Sequence, residues 1–405
     1  MPKATADSSS QAESSVKVSP KGSARLKAGH PWVYRSDVTA ADDVPPGALV
    51  RVTDLRGKFL GTALYSSSSQ IAIRMIATEA VKDLPALLAN RLLAAIAYRK
   101  KFVADTDAYR VVFSEADFLP GLIVDRYNDV LGVQILTQAM DAEPVRGAVV
   151  ETLVEEFKPA GIFERVDARI RELEQLPARA AGLMWGQKSS TVVSMNGVRF
   201  LHDGKEGQKT GAFLDQRENY AAAAQYAHGE ALDVFCYQGG FALHLVAMNP
   251  APKCSSVTGV DSSRPALEVA DKNATLNGRE LEWIEANAFD LLKDYASSGR
   301  QYDTIVLDPP AFAKTKRDLE KAFRGYKELN LRAMKMLRPG GILVTCSCSF
   351  HVSAADFLEV VADAACDAHK SLRLLENRGQ AKDHPVLLNV PETSYLKCLI
   401  FVVSD

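Results

Sequence analysis

From Ala231 to Cys346 the chain alternates apolar runs of strand length with helix-like segments. The runs are ALDVFC, SVTGVD, EWIEANA, YDTIVLDPP and GGILVTC, and each closes on something polar or glycine-rich. Strands buried on both faces read as nearly continuous apolar stretches, and parallel neighbours need a crossover that a helix supplies. The pattern predicts an α/β domain with a doubly wound parallel sheet. Ligands of such sheets lie beyond the carboxyl ends of the strands, so the residues closing each run are where chemistry is expected.

The first run, ALDVFCYQGGF, carries Asp233 and turns through Gly239 and Gly240 into the helix FALHLV. Glycine there lets backbone approach a ligand that a Cβ would exclude. The spacing is not the GxGxxG of a pyrophosphate site, and there is no Walker lysine. The second run ends in Asp261, placed to accept hydrogen bonds from ribose hydroxyls, and the third leads to Asn287 and Ala288, placed to hold an adenine edge. Together these describe a nucleoside cofactor without a diphosphate. The arrangement resembles the class I S-adenosyl-L-methionine (SAM)-dependent methyltransferases. That resemblance assigns Asp233 and Gly239 to the methionine part, Asp261 to the ribose and Asn287 with Ala288 to the adenine, Asn287 standing where aspartate is common. A Rossmann-like fold for some other nucleotide is the competing reading.

The fourth run ends VLDPPAF, where two prolines fix the loop after Asp308. Amino-directed methyltransferases use a related motif with an aromatic directly after the second proline, but here Ala311 precedes Phe312. The fifth run ends TCSCSF. Ile342, Val344 and Cys346 share one face of an extended strand, so Cys346 continues a buried row and Cys348 falls past the strand end. A thiolate there can add to carbon 6 of cytosine and make carbon 5 nucleophilic, and an acid at N3 eases the addition, a part Asp308 can take from the neighbouring strand end. Metal, disulfide and simple packing are the other uses of the pair. An i, i+2 disulfide is awkward, and zinc would want ligands beyond the nearby His351.

At 405 residues the chain exceeds one ordinary core, since a domain takes ~150 residues as a soft prior. Residues 1–14 read as a disordered tail. Residues 15–85 read as a small β-rich domain, with GALVRVTD, FLGTALYS and QIAIRMIA as strands. Its leading edge gathers Lys21, Arg25, Lys27 and Arg35 around His30 and Trp32, a basic and aromatic mixture suited to phosphates and stacked bases, or else a solvated face with Trp32 in the core. Residues 86–195 read as a middle α+β module, and residues 196–405 as the catalytic domain, entered through a ribbon of VRFLHDG and TGAFLDQREN. The net charge of -2 confines any nucleic-acid surface to a local patch. Six cysteines, none before Cys236, do not make a disulfide scaffold. No apolar run approaches the ~18 residues of a membrane span, and a cytoplasmic location with no membrane partner is expected.

Several long motifs in fixed order, GHPWVYRSDV, DRYNDVLGVQ, KTGAFLDQREN, CYQGGFALH, LDPPAFAK, RGYKELN, TCSCS, DHPV and YLK, make the chain closely resemble a known family. It is that of the bacterial large-subunit (23S) ribosomal RNA cytosine-C5 methyltransferases with an N-terminal PUA domain. The resemblance implies a PUA domain gripping ribosomal RNA, a Rossmann-like SAM methyltransferase domain, Cys348 as nucleophile with Asp308 assisting, and a homodimer. It carries Gln216 and Arg217 over as SAM contacts, puts Lys209 nearby, and sets Tyr326, Lys327, Asp383, His384 and Lys397 close to the cleft. A second cysteine that relatives use for release is missing from DPPAF. The rivals are a methyltransferase for an exocyclic amine or guanine whose cysteines merely pack, and a non-catalytic RNA-binding assembly factor.

Overall fold

The computed structural model describes residues 14–41, 43–204, 213–247, 254–313 and 315–405; the expectation for Lys209 lies outside them. The N-terminal unit is a six-stranded sheet in the order Trp32–Tyr34, Ile71–Ala77, Phe59–Tyr65, Leu49–Thr53, Ser15–Val18, Val38–Ala40. Alternating residues of these strands, among them Val16, Val50, Val52, Ala63 and Ile73, close its core. The basic leading edge is a helix, Pro20–Lys27. Ser19 caps it by accepting from Gly22 N at 3.1 Å, and Pro20 starts it.

The middle module is a five-stranded sheet, Ala108–Phe113, Leu122–Tyr127, Val130–Ile135, Gly161–Glu164 and Gly182–Gly186, covered by the helices Leu84–Phe102 and Glu143–Phe157. The ribbon that follows pairs Ser190–Met195 with Val198–Asp203, not VRFLHDG with TGAFLDQREN. Its turn is Asn196-Gly197, both at positive φ (51° and 83°), the two-residue hairpin geometry this dipeptide favours. Of the stretch expected as the second strand, Leu214–Gln216 is a 3₁₀ turn and Arg217–Tyr226 a helix.

The C-terminal sheet has seven strands: β1 Gly229–Val234, β2 Cys254–Asp261, β3 Glu282–Glu285, β4 Tyr302–Leu307, β5 Leu337–Ser347, β6 Ser371–Arg378 and β7 Lys397–Ser404. Their order is β3-β2-β1-β4-β5-β7-β6, with β7 antiparallel to both of its neighbours. The reversed pair β6 and β7 was not expected from the sequence. It separates this sheet from the dinucleotide order, 3-2-1-4-5-6. Register aligns the strand ends: Val234 pairs with Val260 and Leu307, and Leu307 with Thr345. The polar residues closing β1, β2, β4 and β5 thus meet along one rim. Ile342, Val344 and Cys346 face a buried cluster with Ile400, while Leu343 faces the other layer. Among the described residues no helix is long and apolar enough to cross a membrane.

Candidate active site

The loop after β1 is held in an uncommon conformation. Phe235, Tyr237 and Gly239 have φ of 66°, 49° and 84°, and strain of this kind in non-glycine residues concentrates at functional sites. The Asp261 carboxylate holds the loop, accepting from Tyr237 N at 3.0 Å and from Ser263 N at 2.8 Å. A Cβ on Gly240 would come within 2.6 Å of the Tyr220 ring, so the glycine pair lets the helix start close against its neighbour. Asp233 is fully buried. Its Oδ2 accepts from Ala242 N at 2.8 Å, and its Oδ1 has no hydrogen-bond partner among the described residues. Burial, with the Asp261 charge adding, pushes the Asp233 acid up to about 7. Next to Asp261 along the chain, a cleft of about 1180 Å³ opens between Tyr237, Gln238 and Ser263 and the hairpin residues Thr191 and His202.

Asp308 follows β4 and is partly open to the cleft. Gln216 Nε2 donates to its Oδ1 at 2.9 Å, and Asn219 Nδ2 donates in turn to Gln216 Oε1 at 2.7 Å. Loss of bulk solvation, then the charges of Asp215 and Asp233, push the Asp308 acid up to about 8, against the Gln216 bond. At neutral pH it carries its proton.

Cys348 is half-buried, with Sγ 3.8 Å from Pro309 O. The serines on either side tie the β5 end to the β4 loop. The Ser349 hydroxyl accepts from Phe312 N at 3.0 Å and Ala313 N at 3.2 Å, and lies 2.9 Å from the Tyr326 hydroxyl, to which Ser347 donates at 3.0 Å. Tyr326 thus joins the loops after β4 and β5 from the helix Leu319–Met336. Burial first, then Asp308 and Asp215, push the Cys348 thiol up to about 11, and Lys397 opposes them. Lys397 is the cation that TCSCSF itself lacks. It pairs with Ser347 across β5 and β7, and its ammonium donates to Ser349 O at 2.7 Å and Tyr395 O at 2.8 Å. No carboxylate among the described residues pairs with it; burial pushes it down to about 8, while Cys348 acts to raise it.

The other expected residues fall in different places. The guanidinium of Arg217 is fully buried at the domain junction, donating to Asp383 Oδ1 at 3.0 Å and to Ala104 O of the middle module. Asp383 also accepts from Arg110 N at 2.8 Å, and its backbone oxygen accepts from Arg99. Burial alone would raise the Asp383 acid, but His384 and Arg217 hold it well below the carboxylate range. DHPV therefore locks two domains together. Asp383→Asn leaves the buried Arg217 guanidinium with only the Glu218 carboxylate at 3.6 Å as counterion, and is expected to cost about 3 kcal/mol of unfolding free energy, read by chemical denaturation. Asn287 is exposed and caps the helix Ala288–Ser297, accepting from Phe289 N at 2.9 Å, with Ala288 buried beneath it. Lys327 pairs with Asp367 at 2.9 Å on the helix surface. In the N-terminal unit Trp32 Nε1 donates to Glu115 at 3.1 Å, His30 lies 3.2 Å from Glu392, and Arg35 donates to Ser69 O and Ser66 O, while Lys21 and Lys27 are exposed.

Fold and rim together define a Rossmann-like domain that lines up an orphaned buried carboxylate, a loop-holding acid, a half-buried thiol and a carboxyl pushed up to about 8 along one edge of its sheet. The sequence matches a PUA-like domain over residues 16–78 and the S-adenosylmethionine-dependent methyltransferase family over residues 132–402. It is 38% identical over 396 residues, 95% of this chain and 98% of the relative, to ribosomal RNA large subunit methyltransferase I of Shewanella denitrificans. With the protein of the same name from Tolumonas auensis it shares 39% over 382 residues, 92% and 94% of the two chains. A solved SAM-dependent methyltransferase from Streptococcus mutans has the same fold, with a TM-score of 0.79 at 18% identity over 96% of this chain and 99% of that one. The chain belongs to the S-adenosylmethionine-dependent methyltransferase family, together with these ribosomal RNA large subunit methyltransferase I proteins.

SAM is its cofactor, and the residues present fit it. The orphaned Asp233 Oδ1 is a buried acceptor suited to the ammonium of the methionine part, and the lone pairs left on Asp261 suit ribose hydroxyls. Asp261→Ala is expected to weaken SAM binding roughly ten- to a hundredfold, the worth of a charged hydrogen bond, by calorimetry.

Proposed function

We propose that the protein makes 5-methylcytosine in large-subunit (23S) ribosomal RNA through a covalent bond from Cys348 to carbon 6 of the base. The observation that carries this reading is that a half-buried thiol after β5 and a carboxyl after β4, which its surroundings push toward the protonated form, sit on two loops held together through Ser349 and Tyr326. The name of the relatives supports the choice of RNA.

When bound, SAM supplies an electrophilic methyl group. The Cys348 thiolate adds to carbon 6, and the C5–C6 electron pair moves through the ring toward N3, where the Asp308 proton is received. A neutral Asp308 serves twice, since its proton both supplies N3 and removes one of the charges that hold the thiol protonated. The Lys397 ammonium, which pairs with no carboxylate among the described residues, favours the thiolate through its charge. As carbon 5 takes the methyl group the methyl–sulfur bond breaks and leaves a neutral thioether; N3 then returns its proton to Asp308, and loss of the carbon-5 proton restores the double bond and expels Cys348 as thiolate. DPPAF has no cysteine to take that proton, so a group other than a thiol of that loop takes it.

The test is nucleoside mass analysis of ribosomal RNA treated with the protein and SAM. New 5-methylcytosine is expected, and methyl on an exocyclic amine or on guanine would overturn the reading.

A further inference from the structure

We infer that the exposed cations Lys316, Arg317, Lys321 and Arg324, with the ring of Phe350, form a second RNA-gripping surface that holds the strand flanking the target nucleotide. The inference rests on the RNA reading above and adds a site to it. These cations stand at the start of the helix Leu319–Met336 and in the turn before it, directly after the DPPAFA loop. Lys321 and Arg324 are spaced i, i+3 on one face of the helix, and Lys316 and Arg317 stand in the 3₁₀ turn that leads into it. All four are exposed, and among the described residues none has an ion-pair or hydrogen-bond partner. Of the other cations on the helix, Lys327 pairs with Asp367 at 2.9 Å and Arg332 with Glu328 at 2.8 Å, while Lys335 at the far end is exposed. Among nearby acids, Asp318 is turned onto Thr315, accepting from its N and Oγ1 at 2.8 Å, and Glu320 is exposed.

The opposite face ties this stripe to the chemistry. The Phe312 ring of the catalytic loop lies 4.8 Å from that of Tyr326, and a Cβ on Gly325 would stand 3.2 Å from Phe312, so the helix rests directly on the loop. Across that loop, Ser349 is buried but the next residue, Phe350, is 45% exposed, with His351 edge-on at 5.2 Å. An exposed aromatic one residue past a buried, fully bonded serine is a platform on which an unpaired base can stack. Cations and an exposed aromatic that adjoin the same loop match an RNA strand with its backbone on the cations and a flanking base on the ring.

The basic patch on the N-terminal unit is less available. Arg25 lies 3.8 Å from Asp37 and over the Tyr34 ring, and Arg35, His30 and Trp32 are committed as described. Lys21 and Lys27 remain there for contacts farther from the target.

The test uses the full chain and protein-free large-subunit ribosomal RNA transcribed in vitro, with binding followed across a salt series. The K316Q/R317Q/K321Q/R324Q protein is expected to bind SAM as the unaltered protein does, to bind RNA roughly ten- to a hundredfold more weakly, and to show a log K against log salt slope shallower by roughly three. Phe350→Ala is expected to weaken RNA binding about five- to a hundredfold with the slope unchanged, and Phe350→Tyr to restore it. A quadruple variant that keeps the affinity and slope of the unaltered protein would make the stripe a solvated face and overturn the inference alone. Failure of the unaltered protein to bind RNA would overturn the RNA reading, and this inference with it.

Discussion

A Cys348→Ala protein is expected to bind SAM normally and to lose cytosine methylation by a factor on the order of 10⁴ or more, the scale seen when a covalent nucleophile is removed. Without the thiol, carbon 5 of cytosine has no means of becoming nucleophilic, and the remaining groups only hold the reactants together. The effect belongs to one cysteine of the pair. Cys346 lies opposite Cys398 across β5 and β7, both fully buried among Val344 and Ile400, and burial pushes the Cys346 thiol well up. Cys346→Ala is expected to retain activity. Methyl transfer from labelled SAM, measured for both variants, separates the two positions. Equal loss in both, or in neither, would contradict the assignment.

Asp308→Asn carries the second large effect, a fall of about 10²–10⁴ in methyl transfer, the usual contribution of a placed general acid. Its pH profile is the sharper readout. The Asp308 acid is pushed up to about 8, so below that pH it holds the proton that N3 needs. Above it the carboxylate can no longer donate, and its charge also disfavours the thiolate. kcat/KM of the unaltered enzyme should therefore fall on the alkaline side of about pH 8, while the asparagine variant lacks that limb. An alkaline limb unchanged in Asp308→Asn would assign it to another group, Lys397 being the other one near 8.

The parts of this molecule legible in its sequence are those where a local pattern carries the physics. Apolar runs with polar ends gave β1 to β5, and alternation along β5 separated Cys346 from Cys348 before any contact was known. β6 and β7 went unread because nothing local in CLIFVVSD says that it inserts antiparallel between two earlier strands. Lys397 went with them: it comes alongside Ser347 only through that pairing. The hairpin at Asn196-Gly197 is different, since the dipeptide between two alternating runs was a readable signal that was passed over. Arg217 and Gln216 adjoin in sequence but work apart. One is bound to Asp383 at the domain junction, and the other orients Asp308, a division set by the turn into the helix Arg217–Tyr226. The basic residues near Trp32 show what composition leaves out. Clustering in sequence does not reveal which side chains the fold already pairs, Arg25 with Asp37, Trp32 with Glu115 and His30 with Glu392.

The covalent bond from Cys348 to carbon 6 is tested most directly with ribosomal RNA in which fluorine replaces hydrogen at carbon 5 of cytosine. The fluorine cannot leave as a proton does, so the methylated adduct should remain attached to the enzyme. Incubation with SAM followed by denaturing electrophoresis and peptide mass mapping should give a protein–RNA species linked at Cys348, absent from Cys348→Ala. Undiminished 5-methylcytosine formation by Cys348→Ser, or a linkage at another residue, would contradict it.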